Sequence, residues 1–202
     1  MTTLRIVPLI LALAALGATA SLAGVGPGDP APDFDLTDTT GHDHHLQKYL
    51  DEGKIVVLEW FNPDCPFVKK HHTDHRTMSD LYHAHAKQGV VWLAINSGAA
   101  GKQGAGLERN QKAVKEYRIN YPVLLDMTGE VGKAYGATNT PHMFVIRPDG
   151  TVAYAGAIDS DRSTDTLGET NHVAEALAAV LAGKKPATAE TKAYGCSVKY
   201  AD

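Results

Sequence analysis

A short segment in the first third of the chain joins a buried strand to a helix through a single cysteine. The strand is the apolar, β-branched run Ile55–Leu58, and the turn-forming pair Asn62-Pro63 follows it. Pro66 suits the first turn of a helix, because its missing N–H would have no partner there in any case. Cys65 therefore stands at a helix start, where unpaired N–H groups and the helix dipole favour an anion such as a thiolate. This position predicts a reactive cysteine rather than an inert buried thiol.

Length and composition describe a single globular domain. The chain has 202 residues, of which 44% are hydrophobic and 21% are charged. This length is enough to bury a full core, so disulfides are not needed to hold the fold together. The formal net charge is −4 and we find no basic patch, which argues against a nucleic-acid partner.

The first 23 residues have the order of a secretory signal peptide. One positive charge in Met1–Arg5 precedes the apolar segment Ile6–Gly17, and small residues follow at Ala18-Thr19-Ala20. The apolar segment is shorter than the roughly 20 residues of a membrane span. We therefore expect an exported protein, periplasmic or extracellular, with no membrane association once the signal is cleaved. An uncleaved N-terminal anchor is the alternative.

Export changes how the two cysteines are interpreted, because exported thiols tend to form disulfides. Two cysteines allow one intramolecular pair, between Cys65 and Cys196. A purely structural disulfide is therefore an alternative to a reactive pair. The predicted organisation is a signal peptide at 1–23, a globular domain at 25–183, and a tail at 184–202 that carries Cys196.

The pattern of the remaining chain predicts an α/β fold. Apolar runs and helical spacing alternate, and the Asp149-Gly150 turn joins the last two strands as a hairpin. This order indicates a mixed central sheet with helices on both faces. The predicted strands cover 33–37, 54–61, 90–95, 121–125, 143–147 and 152–158, and the predicted helices cover 45–50, 67–87, 107–118, 130–135 and 173–181.

The chain resembles the thioredoxin superfamily, in particular its peroxiredoxin-like branch of redoxins and AhpC/TSA-like proteins. The resemblance covers about residues 32–200 and implies a thioredoxin-like fold. Several motifs carry it in the expected order: Asn62-x-x-Cys65-Pro66-Phe67-Val68-Lys69, Ala94-Ile95-Asn96-Ser97, Tyr135-Gly136-Ala137-x-x-Thr140-Pro141, Tyr154-x-Gly156-x-Ile158-Asp159 and Gly195-Cys196-Ser197-Val198-Lys199.

The resemblance implies an enzyme, either a thiol-disulfide oxidoreductase or an antioxidant thiol peroxidase. The Cys65 thiolate would attack a peroxide or a disulfide substrate, and Cys196 would resolve the product into an intramolecular disulfide. An external thiol reductant would then restore the pair, and no cofactor is expected. Glu59, six residues before Cys65, matches the buried carboxylate with which thioredoxins relay a proton.

The resemblance also implies a set of substrate-binding residues, although two positions depart from the family pattern. Val68 stands where a thioredoxin has its second cysteine. Asn62 stands where a conventional peroxiredoxin has a threonine that helps to activate peroxide, which leaves the preferred oxidant open. Thr140-Pro141 occupies the place of the family's cis-proline, an uncommon peptide geometry. The predicted substrate-binding residues are Asn62, Pro66, Thr140 and Pro141.

A metal-binding module is the second functional hypothesis. His71 and His75 are four residues apart in the predicted helix, a spacing that lets two imidazoles share a metal. Cys65 lies about one helical turn before them, and a thiolate with imidazoles suits copper or zinc.

Overall fold

A mixed five-stranded sheet forms the centre of the protein. The structure is a computed structural model, and it describes residues 24–201, so the predicted signal peptide lies outside the described residues. The strands are β1 (Asp35–Thr37), β2 (Asp43–His45), β3 (Ile55–Trp60), β4 (Val90–Asn96), β5 (Val123–Leu125), β6 (Asn139–Thr140), β7 (His142–Ile146), β8 (Val152–Gly156) and β9 (Cys196–Ser197). The spatial order of the central strands is β5-β4-β3-β7-β8, with β3, β4 and β5 parallel and β7 antiparallel to both neighbours.

Helices cover both faces of this sheet, which confirms the predicted α/β architecture. The helices are α1 (Leu46–Asp51), α2 (Pro66–Lys69), α3 (Thr77–His85), α4 (Leu107–Glu116), α5 (Glu130–Tyr135) and α6 (His172–Leu181). One core contains apolar side chains of α2, α3, α4 and α6, and the other contains those of α1 and α5. Within the described residues, no helix has the length and apolar character needed to cross a membrane.

Strand β3 is buried along its whole length because it lies in the middle of the sheet. Alternate side chains point to opposite faces, so Val57 enters one core while Val56 and Leu58 enter the other. A strand covered on both faces has a continuous apolar sequence, which explains the run from which it was predicted. This strand leads directly to Cys65.

The prediction of one helix over 67–87 is wrong. Helix α2 ends after one turn, and a π-helical turn follows at Lys70–Asp74, in which the His75 N–H donates to the Lys70 carbonyl at 3.0 Å. Arg76 then adopts a left-handed conformation with φ 54°, and α3 begins after it. The irregular turn buries three consecutive polar side chains against partners elsewhere in the chain: Lys70, His71 and His72.

The C-terminal tail packs along the edge of the sheet. The Ala155 N–H donates to the Ala189 carbonyl, and the Thr191 N–H donates back to the Ala155 carbonyl, both at 3.1 Å. The Thr191 hydroxyl accepts the Ala157 N–H at 2.9 Å. The tail is thus hydrogen-bonded to β8 before it reaches Cys196, where strand β9 pairs with β6.

Two glycines at helix ends allow the cost of a close backbone approach to be measured. Gly136 and Gly183 both have positive φ, 66° and 69°. A Cβ on Gly136 would lie 2.4 Å from the Gly24 Cα, whereas a Cβ on Gly183 would meet no atom within 4 Å. Gly183→Ala should therefore cost about 1 kcal/mol for the left-handed backbone alone, and Gly136→Ala at least about 1 kcal/mol more. Urea unfolding of the two variants measures the difference, and equal losses would contradict the contact.

Candidate active site

Cys65 lies at the junction between β3 and α2. It is the N-cap of α2, with φ −82° and ψ 124°, and its carbonyl accepts the N–H groups of Val68 and Lys69 at 3.1 and 3.0 Å. Pro66 is the first helical residue and is exposed. The Cys65 side chain is fully buried, and its thiol donates to the Thr140 carbonyl at 3.0 Å. The structure thus places the predicted nucleophile at a helix start, enclosed by a second segment.

The second segment is the turn that contains the predicted cis-proline. The Thr140–Pro141 peptide bond is cis, which confirms that prediction. Thr140 ends the short strand β6, and its register partner in β9 is Cys196. The carbonyl that accepts the Cys65 thiol therefore belongs to the residue that pairs with the second cysteine.

Cys196 lies beside Cys65 without a disulfide between them in this structure. Its half-buried side chain packs against the core cluster that contains Cys65. Burial raises the pKa of the Cys196 thiol to about 11, and both a hydrogen bond to Cys65 and the charge of Cys65 add to the rise, while Lys199 opposes it. In this arrangement the Cys196 thiol holds its proton at neutral pH.

Glu59 is fully buried in β3, six residues before Cys65. Its two carboxylate oxygens have separate partners: Oε1 lies 2.6 Å from His72 Nε2, and Oε2 accepts the Tyr121 hydroxyl at 3.0 Å. Burial raises the pKa of Tyr121 well above its ordinary value, and the adjacent carboxylate adds to this. The hydroxyl of Tyr121 therefore stays protonated and donates to Glu59.

The Asn62 side chain holds the loop next to Cys65 through hydrogen bonds at both its oxygen and its nitrogen. Its Oδ1 accepts the Asp64 N–H at 2.9 Å, and its Nδ2 donates to the Gln103 carbonyl at 3.2 Å. Gly104 approaches so closely that a Cβ there would lie 2.0 Å from Asn62 Oδ1. This side chain therefore links the segment before α2 to the loop between β4 and α4.

A buried charged cluster forms around Lys70, the first residue of the π-helical turn. The Lys70 ammonium donates to the carbonyls of Asp161 and Ser163 at 2.9 and 3.2 Å, and it lies 3.6 Å from Asp159 Oδ2. The hydroxyl of Tyr194 donates to Asp159 Oδ1 at 2.5 Å. The cluster connects the segment after Cys65 to the tail that carries Cys196.

Sequence reasoning gave no role to four residues that support this site. The contacts that connect them to the site join residues 13 to 123 positions apart along the chain, so no local spacing indicates these contacts. Asp159 lies within a motif of the resemblance, and Tyr194 directly precedes another, but neither motif indicates a role for these two side chains. The residues are Lys70, His72, Asp159 and Tyr194.

The structure gives no support to the metal-binding hypothesis. His71 Nε2 lies 2.9 Å from the Tyr194 hydroxyl and Nδ1 lies 3.3 Å from Thr77 Oγ1, so both ring nitrogens have partners. Burial lowers the pKa of His71 to about 4. His75 instead bonds through Nε2 to the Asp165 carbonyl at 3.0 Å. Among residues 24–201, no group of three or more His, Cys, Asp or Glu side chains is arranged to hold a metal ion.

Comparison with known sequences assigns the protein to a family. The sequence model of the AhpC/TSA family matches residues 27–155, a span that includes Cys65 and the cis-proline. The chain belongs to the AhpC/TSA family. Cys196 and Tyr194 lie beyond the matched span, so the tail is a feature of this AhpC/TSA protein that the family model does not describe.

Individual relatives agree with this assignment. The thiol-disulfide oxidoreductase ResA of Geobacillus thermodenitrificans is 34% identical over 155 residues, which cover 74% of this chain and 83% of that protein. A hypothetical protein from Sinorhizobium meliloti is similar in structure, with a TM-score of 0.77, 30% identity, and coverage of 88% of this chain and 96% of the other. The peroxidoxin BcpB of Mycobacterium tuberculosis shares the fold, with a TM-score of 0.57, 23% identity, and coverage of 78% and 97%.

These findings define the class of the AhpC/TSA protein. Its fold is thioredoxin-like, and it is a thiol-disulfide oxidoreductase. Such an enzyme acts on thiol or disulfide substrates and depends on a reductant as its partner. The two cysteines brought together by β6 and β9 are the thiols available for this chemistry.

The raised pKa of Cys196 predicts how its reactivity depends on Cys65. Cys65→Ala removes the Cys65 sulfur and with it both of its contributions to the raised pKa of Cys196, while much of the burial remains. The rate of Cys196 alkylation by iodoacetamide, followed by peptide mapping, should then inflect at a pH about 1 lower than in the native protein. Lys199→Gln should move the inflection upward, because it removes a favourable charge. An unchanged inflection in Cys65→Ala would show that the two thiols do not interact.

Proposed function

We propose that the protein is an exported thiol-disulfide oxidoreductase in which Cys65 is the nucleophile and Cys196 is the resolving cysteine. The observation that carries this proposal is the pairing of β9 with β6, which sets Cys196 opposite Thr140 while the Cys65 thiol bonds to the carbonyl of that same residue. Two thiols held beside each other can close a disulfide with little movement of the backbone.

Reduction of a disulfide substrate takes place in two exchanges. The Cys65 thiolate attacks one sulfur of the substrate, which forms a mixed disulfide and releases the first substrate thiolate. Cys196 then loses its proton and attacks the Cys65 sulfur, which releases the second substrate thiolate and forms the Cys65–Cys196 disulfide. Two electrons pass from the cysteine pair to the substrate, and an external thiol reductant returns them.

Glu59 is the proposed proton relay for the cysteine pair. Its support is complete burial in the strand that leads to Cys65, together with hydrogen bonds to His72 and Tyr121. Imidazole and carboxylate groups exchange protons readily, and the pair is shielded from bulk water. A proton needed by a leaving thiolate, or lost by Cys196, can be held there.

A disulfide is favoured over a peroxide as the substrate. The relative at 34% identity carries the name of a thiol-disulfide oxidoreductase. The Asn62 side chain is buried and one of its two N–H donors is bonded to the Gln103 carbonyl, which limits its contact with a peroxide oxygen beside Cys65. The proposed substrate-binding residues are the exposed Pro66 and the turn formed by Thr140 and Pro141, together with Asn62, which holds the adjacent loop in place.

Export is proposed from the sequence of residues 1–23. A short apolar segment between a positive charge and small residues favours secretion followed by cleavage. The mature protein would then act outside the cytosol without membrane association. N-terminal sequencing of the protein from the periplasm or the medium tests this, and a chain that still begins at Met1 would contradict cleavage.

Oxidation with one equivalent of a small disulfide should convert the protein into a monomer with a Cys65–Cys196 disulfide. The reason is that Cys196 lies beside Cys65 and resolves the mixed disulfide faster than another molecule can. In Cys196→Ser the same treatment should stop at a mixed disulfide on Cys65 or at a Cys65-linked dimer. Non-reducing mass spectrometry with peptide mapping distinguishes these products.

The contrary result is a fully oxidised Cys65 with a free Cys196, which would make the tail cysteine structural.

Hydrogen peroxide provides the comparison of substrates, because attack on its O–O bond gives a Cys65 sulfenic acid and hydroxide, and Cys196 then displaces water. We expect this oxidation to be slower than that by the disulfide. A faster reaction would reassign the protein as a peroxidase.

A further inference from the structure

We propose that Tyr194 is a positioning residue that holds Cys196 against Cys65 and keeps the tail closed over the nucleophile. This inference rests on the proposed redox pair and extends it, because it assigns the control of the pair to one side chain outside the two cysteines. Tyr194 acts through a buried cluster formed with Asp159, Lys70 and His71.

Tyr194 is held by both ends of its side chain. The hydroxyl donates to Asp159 Oδ1 at 2.5 Å and lies 2.9 Å from His71 Nε2. The ring packs 5.9 Å from the ring of Phe67 in α2, and the Lys70 ammonium lies 5.5 Å from its centroid. The residue is 4% exposed. Tyr194 of the tail therefore packs directly against α2, the helix whose N-cap is Cys65.

The hydrogen-bond network assigns a direction to each contact. Because the Tyr194 hydroxyl donates its single proton to Asp159, its oxygen accepts the N–H of His71 Nε2. His71 Nδ1 is then the acceptor for the Thr77 hydroxyl at 3.3 Å, which is the arrangement of a neutral imidazole. Each group in the chain from Asp159 to Thr77 is satisfied when the Tyr194 hydroxyl is present.

Asp159 and Lys70, which contact Tyr194, are themselves held by several further hydrogen bonds. Asp159 also accepts the N–H groups of Gly168 and Asp161 at 2.8 and 3.2 Å, and Lys70 bonds to two backbone carbonyls besides facing Asp159. Buried charges are costly unless every hydrogen-bonding site is occupied. A hydroxyl that completes such a set contributes more than one bonded at the surface.

The position of Tyr194 restricts that of Cys196 because one residue separates them and that residue, Gly195, packs against the Thr140 carbonyl. Gly195 has φ 111°, and a Cβ on it would lie 2.2 Å from the Thr140 carbonyl oxygen. Two residues of chain span at most about 7 Å. When Tyr194 is in its pocket, Cys196 therefore lies beside Cys65. When it leaves, Cys196 moves away and the buried Cys65 thiol becomes accessible.

Loss of the Tyr194 hydroxyl should therefore raise the reactivity of both thiols toward external reagents and lower the stability of the internal disulfide. Both thiols become more accessible to external reagents, because the tail opens more often. The internal disulfide becomes weaker relative to an external thiol, because the effective concentration of Cys196 at Cys65 falls. A merely structural contact would lower global stability without this pair of changes.

The test uses Tyr194→Phe, which removes one hydroxyl and retains the ring packing. Iodoacetamide alkylation is measured for Cys196 in a Cys65→Ser background and for Cys65 in a Cys196→Ser background, at a temperature well below unfolding. Both rates should rise about tenfold, since the lost bond goes to a charged group. Equilibration of the two-cysteine protein with glutathione should show the Cys65–Cys196 disulfide weakened by a similar factor.

Tyr135→Phe is the matched control. The Tyr135 hydroxyl is also bonded, to the Pro32 carbonyl at 2.8 Å, but it lies in a helix rather than in the tail. This variant should leave both alkylation rates and the glutathione equilibrium within about twofold of the parent. Urea unfolding of both variants shows whether their global stabilities are comparable.

Unchanged alkylation in Tyr194→Phe, or an equal rise in Tyr135→Phe, would overturn the positioning role. The alkylation experiments need no redox reaction between the two cysteines. They therefore test the positioning role of Tyr194 even if the native protein does not form a Cys65–Cys196 disulfide. Failure to form that disulfide would refute the proposed function and not the role of Tyr194.

Discussion

The carbonyl of Thr140 is the point at which three distant segments of the chain meet. It accepts the Cys65 thiol, it belongs to the strand that pairs with β9, and Gly195 lies directly against it. A side chain at position 195 would push the tail away from this carbonyl, so the glycine is required for the approach of Cys196. The remaining structure can be understood as support for this contact, with β3 and α2 on one side and the tail on the other.

The architecture was predictable because its signals are local. The run Ile55–Leu58 indicates a strand covered on both faces, and Pro66 indicates the start of a helix. Both features are determined by residues that are adjacent in the sequence. The hairpin around Asp149-Gly150 was predictable for the same reason. The cis geometry at Thr140–Pro141 was inferred from resemblance, and no local rule of spacing would have given it.

The break after α2 was not predictable because its causes are remote in sequence. The spacing in 67–87 suits one continuous helix, and helical propensity alone gives no reason for the π-helical turn. The turn forms where His72 contacts Glu59 and Lys70 contacts Asp159. These partners become neighbours only after the sheet and the tail have assembled, so tertiary contacts override local preference.

The two cysteines are unequal in the closed arrangement, and the inequality affects how the reaction is controlled. Cys65 is fully buried, whereas Cys196 is half-buried with a pKa of about 11. In this state an external disulfide cannot reach the first thiol, and the second is protonated at neutral pH. Both are therefore protected from indiscriminate oxidation while the tail is docked. Under the proposed role of Tyr194, the opening of the tail limits the first exchange, and the return of the tail to its docked position promotes the second.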